Sequence, residues 1–336
     1  MNYYSRKDVQ EELLRISKNR EVQIWINDIR GKRPEIINFL GDVNSLVRDG
    51  MTSLHISVER WKDPLRLKSG MSKKELDDLR LGFDLLLDLD SKHLEYSKVT
   101  AELLMEALKF HDVEDVSLKY SGNHGFHIAI PYESFPDTLK GQKLNLLYPD
   151  IIRIIASYLK EMIKPHLTER LLKIDSIEEI AKKSGKTKAE IIKNEQFDPF
   201  SVVDIDTILI SSRHMFRAPY SVNEKSGLVS IPLKDIKTFN IQDAKPENVK
   251  TDVKFLDYDN VIKGSANQLL LQAYDWSMKK EAVKVDDKKL MNIPTKEIKE
   301  EFFPPCISSI MKGLPQDGRK RSVFILLNFL NNMNWS

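Results

Sequence analysis

Asp88 and Asp90 are the residues with the clearest chemical potential, one leucine apart at the end of the apolar run LGFDLLLDLD, residues 81–90. Read as a strand, the run puts Asp84, Leu86, Asp88 and Asp90 on one face, with the last two carboxylates about 6.5–7 Å apart along it. Two like charges so placed call for a metal ion, a basic partner or open solvent between them. Asp-x-Asp is a short pattern. Metal-using nucleases, phosphatases and glycosyltransferases carry it, and so does a strand that simply runs out into water.

Three further segments offer complementary groups. Residues 116–120, the turn Ser121-Gly122-Asn123 and the run 124–130, HGFHIAI, spell a hairpin with suitable turn residues. In its second arm Phe126, Ile128 and Ile130 share one parity, and His127 takes the other with Gly125 and Ala129, away from the apolar side. The turn reads either as an ordinary hairpin turn or as a phosphate cradle. In the cradle, glycines let backbone N–H groups approach, and Ser121, His124 and His127 add donors. Residues 202–210, VVDIDTILI, predict a second acidic strand with Asp204 and Asp206 on one face. The next segment, 211–233, opens as a basic helix-like turn, in which Arg213 and Arg217, four apart, would share a face toward an anion or solvent. Pro219 ends that turn, and a Lys225-Ser226-Gly227 turn leads to a final strand over 228–233. Phosphoryl transfer by two metals needs carboxylates that hold the ions and cationic donors for a triphosphate, and the chain supplies both.

The elements that must position these groups alternate in type. Ser5 caps a predicted amphipathic helix through Leu13, Leu14 and Ile16; a strand follows over 22–26, a helix over 34–48 and a strand over 51–58 leading into Glu59-Arg60-Trp61. A charged helix over 71–80 precedes the central strand, and helices are expected over 100–110, 144–163 and 266–279. Residues 164–198, with the unit IEEIAKKSGKTKAEIIK, resemble a helix–turn–helix but lack any dimer or recognition-helix signal, so a solvated helical insertion is expected.

With 336 residues, 30% charged and 41% hydrophobic, the chain fits one large mixed domain plus an insertion or a smaller second unit. A net charge of +2 averages strongly basic and acidic segments, so the total neither supports nor excludes a polyanion partner. The single cysteine, Cys306, excludes an internal disulfide and any cysteine-only zinc or iron–sulfur site within one copy. The first residues lack an apolar signal core, and no apolar run approaches the roughly 20 residues that span a bilayer, so a cytoplasmic protein without membrane contact is expected.

Taken together, FDLLLDLDSKHLE, LKYSGNHGFHIAI and HMFRAPYSVNEKSGLVSIPL resemble, in order, the motifs of the small catalytic subunit of archaeo-eukaryotic DNA primases. The likeness covers about residues 1–235. It implies an α+β fold, with mixed and antiparallel sheets flanked by helices. It also implies DNA-templated nucleotidyl transfer by two Mg²⁺ or Mn²⁺ ions, making or extending primers from NTPs or dNTPs on a single-stranded DNA template. Carried over by position, Asp88 and Asp90 are metal ligands, and Asp206 is the third carboxylate, with Asp204 the alternative register. Ser121, Gly122, His124, His127, Arg217 and Asn223 are nucleotide contacts, and Arg60, Arg213 and Lys225 are further candidates for phosphate or nucleic acid. Asn223 stands where relatives often have histidine, and Asn123-His124 replaces a basic pair common in eukaryotic relatives.

The resemblance assigns residues 1–250 to the catalytic domain, with the insertion at 164–198, and 251–336 to a linker and a helical region. There FFPPCISSIMKGLPQDGRKRSVFILLNFL is similar to the start of the C-terminal domain found in the large primase subunit, where the cysteine is the first of four iron–sulfur ligands. With only Cys306 present, neither a zinc site nor an iron–sulfur cluster is expected within the chain. Because the sequence stops at FLNNMNWS, a large-subunit-like or helicase domain is expected beyond Ser336. The rival readings are a repair-type polymerase of the same superfamily that extends ends, and a non-catalytic nucleic-acid-binding replication subunit.

Overall fold

The computed structural model describes residues 3–205, 211–289, 299–313 and 319–333, which form two compact units, 1–277 and 278–336. The first unit is built on two antiparallel sheets. One has the strand order β14-β3-β1-β2, where β1 is Val22–Ile26, β2 Ile29–Arg30, β3 Met51–Ser57 and β14 Met215–Arg217. The other runs β13-β6-β8-β7-β15, where β6 is Leu85–Asp90, β7 Ser117–Tyr120, β8 Gly125–Ile130, β13 Asp204–Ile205 and β15 Pro232–Leu233. Between the sheets in sequence, β4 (Glu59–Trp61) pairs with β5 (Arg80–Phe83). Two-residue hairpins, β9/β10 at Thr138–Leu139 and Gln142–Lys143 and β11/β12 at Ile192–Lys193 and Gln196–Phe197, complete the strands. Mixed helices and antiparallel sheets are the class expected.

In the five-stranded sheet the period of two decides which groups face which side. Leu85, Leu87 and Leu89 of β6 are fully buried, and α4 (Leu94–Phe110) packs against β6 and β8. The other parity of β6 and β8 is covered by β14, whose Phe216 ring lies 6.2 Å from His127. With both faces covered, all six residues of β8 are buried. Asp84, of the same parity as Asp88, is taken up structurally just before β6. Its carboxylate accepts from Arg20, from Tyr258 Oη at 2.8 Å and from Tyr132 N–H at 2.9 Å.

Several expectations shift. The first helix, α1 (Lys7–Ser17), starts after Arg6, while Ser5 closes the short turn Tyr3–Ser5. The second, α2 (Leu40–Arg48), starts late because the Asp42 carboxylate accepts the N–H groups of Asn38 and Phe39 and sets the helix entrance there. A shorter α3 (Lys73–Leu79) takes its capping box from Ser72 and Glu75. Helix α4 begins six residues before the expected 100. Helix α5 (Asp150–Ile174) continues through Pro165 into the supposed insertion, because Ile163, Leu167 and Leu171 are buried at four-residue spacing on one stripe. The helix–turn–helix look resolves into α6 (Ile177–Ser184), ended by left-handed Gly185, and the single turn α7 (Lys188–Ile191).

The compact first unit runs past residue 250: Phe255, Leu256 and Ala266 are fully buried in it. Helix α8 (Asn267–Lys289) crosses the division between the units. In the second unit, α9 (Pro305–Met311) and α10 (Arg319–Asn332) are joined by an edge-on contact of Phe303 and Phe329, ring centroids 5.0 Å apart. Among the described residues no helix is long and apolar enough to cross a membrane.

Candidate active site

Strand pairing places Asp88 of β6, His127 of β8 and Lys119 of β7 side by side, as one row across three strands. Asp88 Oδ1 lies 3.1 Å from His127 Nε2, while His127 Nδ1 is buried without a partner. Lys119 is completely buried; its ammonium donates to Ser230 Oγ at 2.7 Å and sits 5.7 Å and 5.6 Å from the ring centres of Phe216 and Phe255. Burial alone would raise the Asp88 carboxyl, but the His127 ring and the Lys119 charge outweigh it and hold Asp88 below its ordinary value. His127 is held down by burial and by the Lys119 charge, and burial drives Lys119 well below the usual lysine range.

One rung further, Asp90 faces Gly125 on one side and Asp204 on the other. Gly125 admits no side chain: a Cβ there would stand 1.9 Å from Leu89 O and 2.4 Å from Asp90 Oδ1. Asp90 and Asp204 are both exposed at the sheet end. Partial desolvation there, with the negative charges of Asp88 and Asp204, pushes the Asp90 carboxyl up to about 6. The strand over 202–210 is described only as Asp204–Ile205, so Asp206 lies outside the described residues and Asp204 is the carboxylate seen beside Asp90. Among the described residues no three His, Cys, Asp or Glu side chains gather closely enough to enclose a metal ion. Asp88 and Asp90 nonetheless supply hard oxygen donors, and the mutual repulsion felt by Asp90 is what a divalent cation would relieve.

The turn 121–125 is closed by Ser121 N–H to Gly125 O at 2.9 Å, and Ser121 Oγ accepts the N–H groups of Gly125 and Asn123 at 3.2 Å and 3.4 Å. Gly122, with φ of 92°, lies under the loop 222–229, where Ser226 Oγ donates to its carbonyl. The His124 side chain is exposed, and its carbonyl accepts from Ser97 Oγ at 3.0 Å. Asn223 is buried; its N–H donates to Leu228 O at 2.7 Å and its Oδ1 accepts the Lys225 N–H at 3.0 Å, and the Lys225 side chain is exposed.

Arg217 and Arg213 do not share a helical face. Residues 215–217 form β14, paired with β3 over 150 residues away, and an extended strand sends positions four apart in no helical register. Arg217 comes opposite His55, donates to Val222 O at 2.8 Å and pairs ionically with Glu224 at 2.8 Å. Arg213 adopts φ of 63° and, with Arg33, neutralises the buried Glu21, while its N–H caps Glu59. Arg60 lies beyond the opposite end of β6, paired with Glu133 at 2.6 Å and lining a cleft of about 570 Å³ with Tyr132, Phe135 and Lys263. The fold thus gathers Asp88, Asp90, Asp204, His127, the turn 121–125, Arg217 and Asn223, and leaves Arg60 and Arg213 in structural ion pairs. Lys119, His55 and Glu224 were missed. The signal for Lys119 was available, since hairpin pairing about the 121–125 turn sets it opposite His127.

Comparison with known proteins bears on this arrangement. Residues 83–235, which hold Asp88, Asp90, Lys119, the turn 121–125, His127, Asp204, Arg217, Asn223 and Glu224, match the family model described as DNA primase small subunit. The DNA primase small subunit PriS of Archaeoglobus fulgidus is 26% identical over 193 residues, 48% of this chain and 57% of that protein. Its counterpart in Pyrobaculum calidifontis is 31% identical over 181 residues, 46% and 52%. The chain therefore spans little more than half the length of these two curated relatives. An uncharacterized protein of Methanocaldococcus jannaschii, MJECS07, aligns over 94% of the chain and 68% of its own length at 22% identity. Among solved structures, the polymerase domain of Mycobacterium tuberculosis ligase D in complex with DNA is similar at a TM-score of 0.43 and 13% identity, covering 82% of this chain and 87% of that one.

Proposed function

We propose that the chain is a DNA-templated nucleotidyl transferase that makes or extends primers from nucleoside triphosphates on single-stranded DNA. The observation that carries this reading is the convergence, at one end of the five-stranded sheet, of segments drawn from across residues 88–217: Asp88 and Asp90, His127 with its turn, and Arg217. Carboxylates beside a cationic, hydrogen-bonding wall are what the transfer of a nucleotide from a triphosphate requires.

Asp88 and Asp90, with Asp204 or Asp206, are the residues that would hold Mg²⁺ or Mn²⁺. When bound, such ions lower the pKa of the attacking 3′-hydroxyl and stabilise charge on the leaving pyrophosphate. The chain's own part is positioning. Arg217 and the edge of His127 bind phosphate oxygens. Asp88 fixes the His127 ring at 3.1 Å, and Gly125 keeps the space beside Asp90 clear. Template affinity falls as salt rises, because it is carried by phosphate contacts.

The test is synthesis on single-stranded DNA with either NTPs or dNTPs, with and without Mn²⁺, by the wild-type chain and by Asp88→Asn. Metal-dependent product from the wild type and a loss of at least about 100-fold in the variant are expected. Undiminished synthesis by Asp88→Asn removes the site. Joining two free nucleotides marks primer initiation, whereas extension alone assigns the chain to end-extending polymerases.

A further inference from the structure

The fork of Arg217 is half committed. Its Nη1 donates to Val222 O at 2.8 Å and forms an ion pair with Glu224 Oε2 at 2.8 Å, and among the described residues no acceptor meets its Nε or Nη2. Neither of those two nitrogens is sealed off from solvent. The residue itself is almost buried, at 9% exposure, as is the Glu224 side chain at 14%. Its aliphatic stem is fixed by β14, where it lies opposite His55, and its charge reaches His127 and Lys119. A planar guanidinium held at one nitrogen, with its Nε/Nη2 edge left without a protein acceptor and its charge felt at His127, is suited to bidentate contact with a phosphate.

The loop that supplies Glu224 is itself held in place. Asn223 N–H bonds to Leu228 O, Gly227 N–H to Asn223 O, and Ser226 Oγ to the Gly122 carbonyl of the Ser121 turn. Glu224 is thus delivered to Arg217 by the loop that also packs on the candidate phosphate turn.

Building on the reading of the site as a nucleotidyl transferase centre, we infer that Glu224 is a positioning residue. It clamps Nη1 of Arg217 so that the Nε/Nη2 edge is presented to the triphosphate of the incoming nucleotide. Glu224 does not touch the nucleotide. A competing role, in which its carboxylate mimics phosphate and must be displaced, would require it to occupy the open edge, and it takes the opposite nitrogen.

Equilibrium binding of a fluorescent nucleoside triphosphate and of inorganic tripolyphosphate to the full chain separates the possibilities, using Arg217→Ala, Glu224→Ala and Glu224→Gln, with thermal unfolding as a folding control. Glu224→Ala is expected to weaken binding of both probes on the order of tenfold and to raise KM with kcat little changed. Glu224→Gln, which keeps an acceptor in place, is expected to recover most of the loss. Tighter binding by Glu224→Ala and Glu224→Gln overturns the clamp in favour of competition, and unchanged binding by Glu224→Ala overturns it outright. If Arg217→Ala also leaves both probes unaffected, the phosphate-binding assignment of this edge fails. A loss in Arg217→Ala alone leaves that assignment standing and removes only Glu224.

Discussion

Replacing Gly125 by alanine tests the site through a single methyl group. The added Cβ would lie 1.9 Å from Leu89 O and 2.4 Å from Asp90 Oδ1, whereas real contacts of this kind begin near 3.0 Å. Neither neighbour is the free end of a flexible chain: one is the backbone of β6 and the other the carboxylate the site depends on. β6 and β8 must therefore part by more than about 1 Å at the Asp90–Gly125 rung, and the Asp90 carboxylate must turn away. Gly125 has no positive φ, so the whole effect is steric, not conformational.

Forced expansion of a packed region costs about 1–3 kcal/mol, which for a unit of this size lowers the melting temperature by a few to about 10 °C. Displacing a catalytic group by about 1 Å costs on the order of 100-fold in rate, or about 2.7 kcal/mol of transition-state stabilisation. Gly125→Ala should therefore still fold, with a near-native circular dichroism spectrum, while synthesis on single-stranded DNA falls about 100-fold. Gly41→Ala in α2 is the control: nothing lies within 4 Å of its Cβ, and the change should leave activity intact and raise stability by up to about 1 kcal/mol. A Gly125→Ala chain that melts and synthesises like the wild type would refute both the close packing at this rung and the role of Asp90 beside it.

Two further outcomes follow from the same groups. Lys119→Met should leave thermal stability unchanged or raised by about 1 kcal/mol, because Ser230 Oγ keeps its bond to Tyr120 O, yet lower synthesis by about tenfold; equal losses of both would show the lysine to be structural only. Burial and the neighbouring Arg217 charge push His55 down to about 3, from 6.5. The folded state thus resists a proton that the unfolded chain accepts below pH 6.5, and stability is lost as pH falls from there toward 3. His55→Phe should reduce the loss between pH 7 and pH 4 by up to about 3 kcal/mol in urea unfolding, and parallel wild-type and variant curves would count against it.

Where a local period decided the outcome, the sequence was sufficient. Strand β1 lies at the residues its apolar character predicted, and β8 shows the parity that separates His127 from Phe126 and Ile128. The shared face of Asp88 and Asp90 was legible for the same reason. What the sequence misled on was set by partners far along the chain. Arg213 and Arg217 are spaced as on a helix, but the pairing of β14 with β3 extends the segment, and Glu21 and Glu59 claim Arg213. Arg60 is likewise taken by Glu133 and the face of Tyr258. The helix expected to stop at residue 163 runs on through Pro165, because Leu167 and Leu171 are buried on its stripe. That the backbone N–H and side-chain Oδ1 of Asn223 would hold the loop 223–228 was not legible either, since its turn is closed only in the folded chain.

The inner face of the five-stranded sheet shows why a chain would keep such an expensive row. Successive rungs on that face run from Leu86 beside Ala129 and Ser117, through Asp88–His127–Lys119, to Asp90 beside Gly125. Along this line β6 goes from buried Leu86 to partly exposed Asp88 to exposed Asp90, so the space between the sheets opens progressively toward solvent. Gly125, having no side chain, leaves the last rung clear. Three ionisable groups in the middle rung are worse for stability than the apolar rung before it, since each loses hydration and Lys119 gains one hydrogen bond in return. Folding alone would favour continuing the Leu86–Ala129 pattern to the strand end. A polar row at the point where the sheet meets water, within reach of the Arg217 charge, is accounted for by what it can bind and not by what it stabilises.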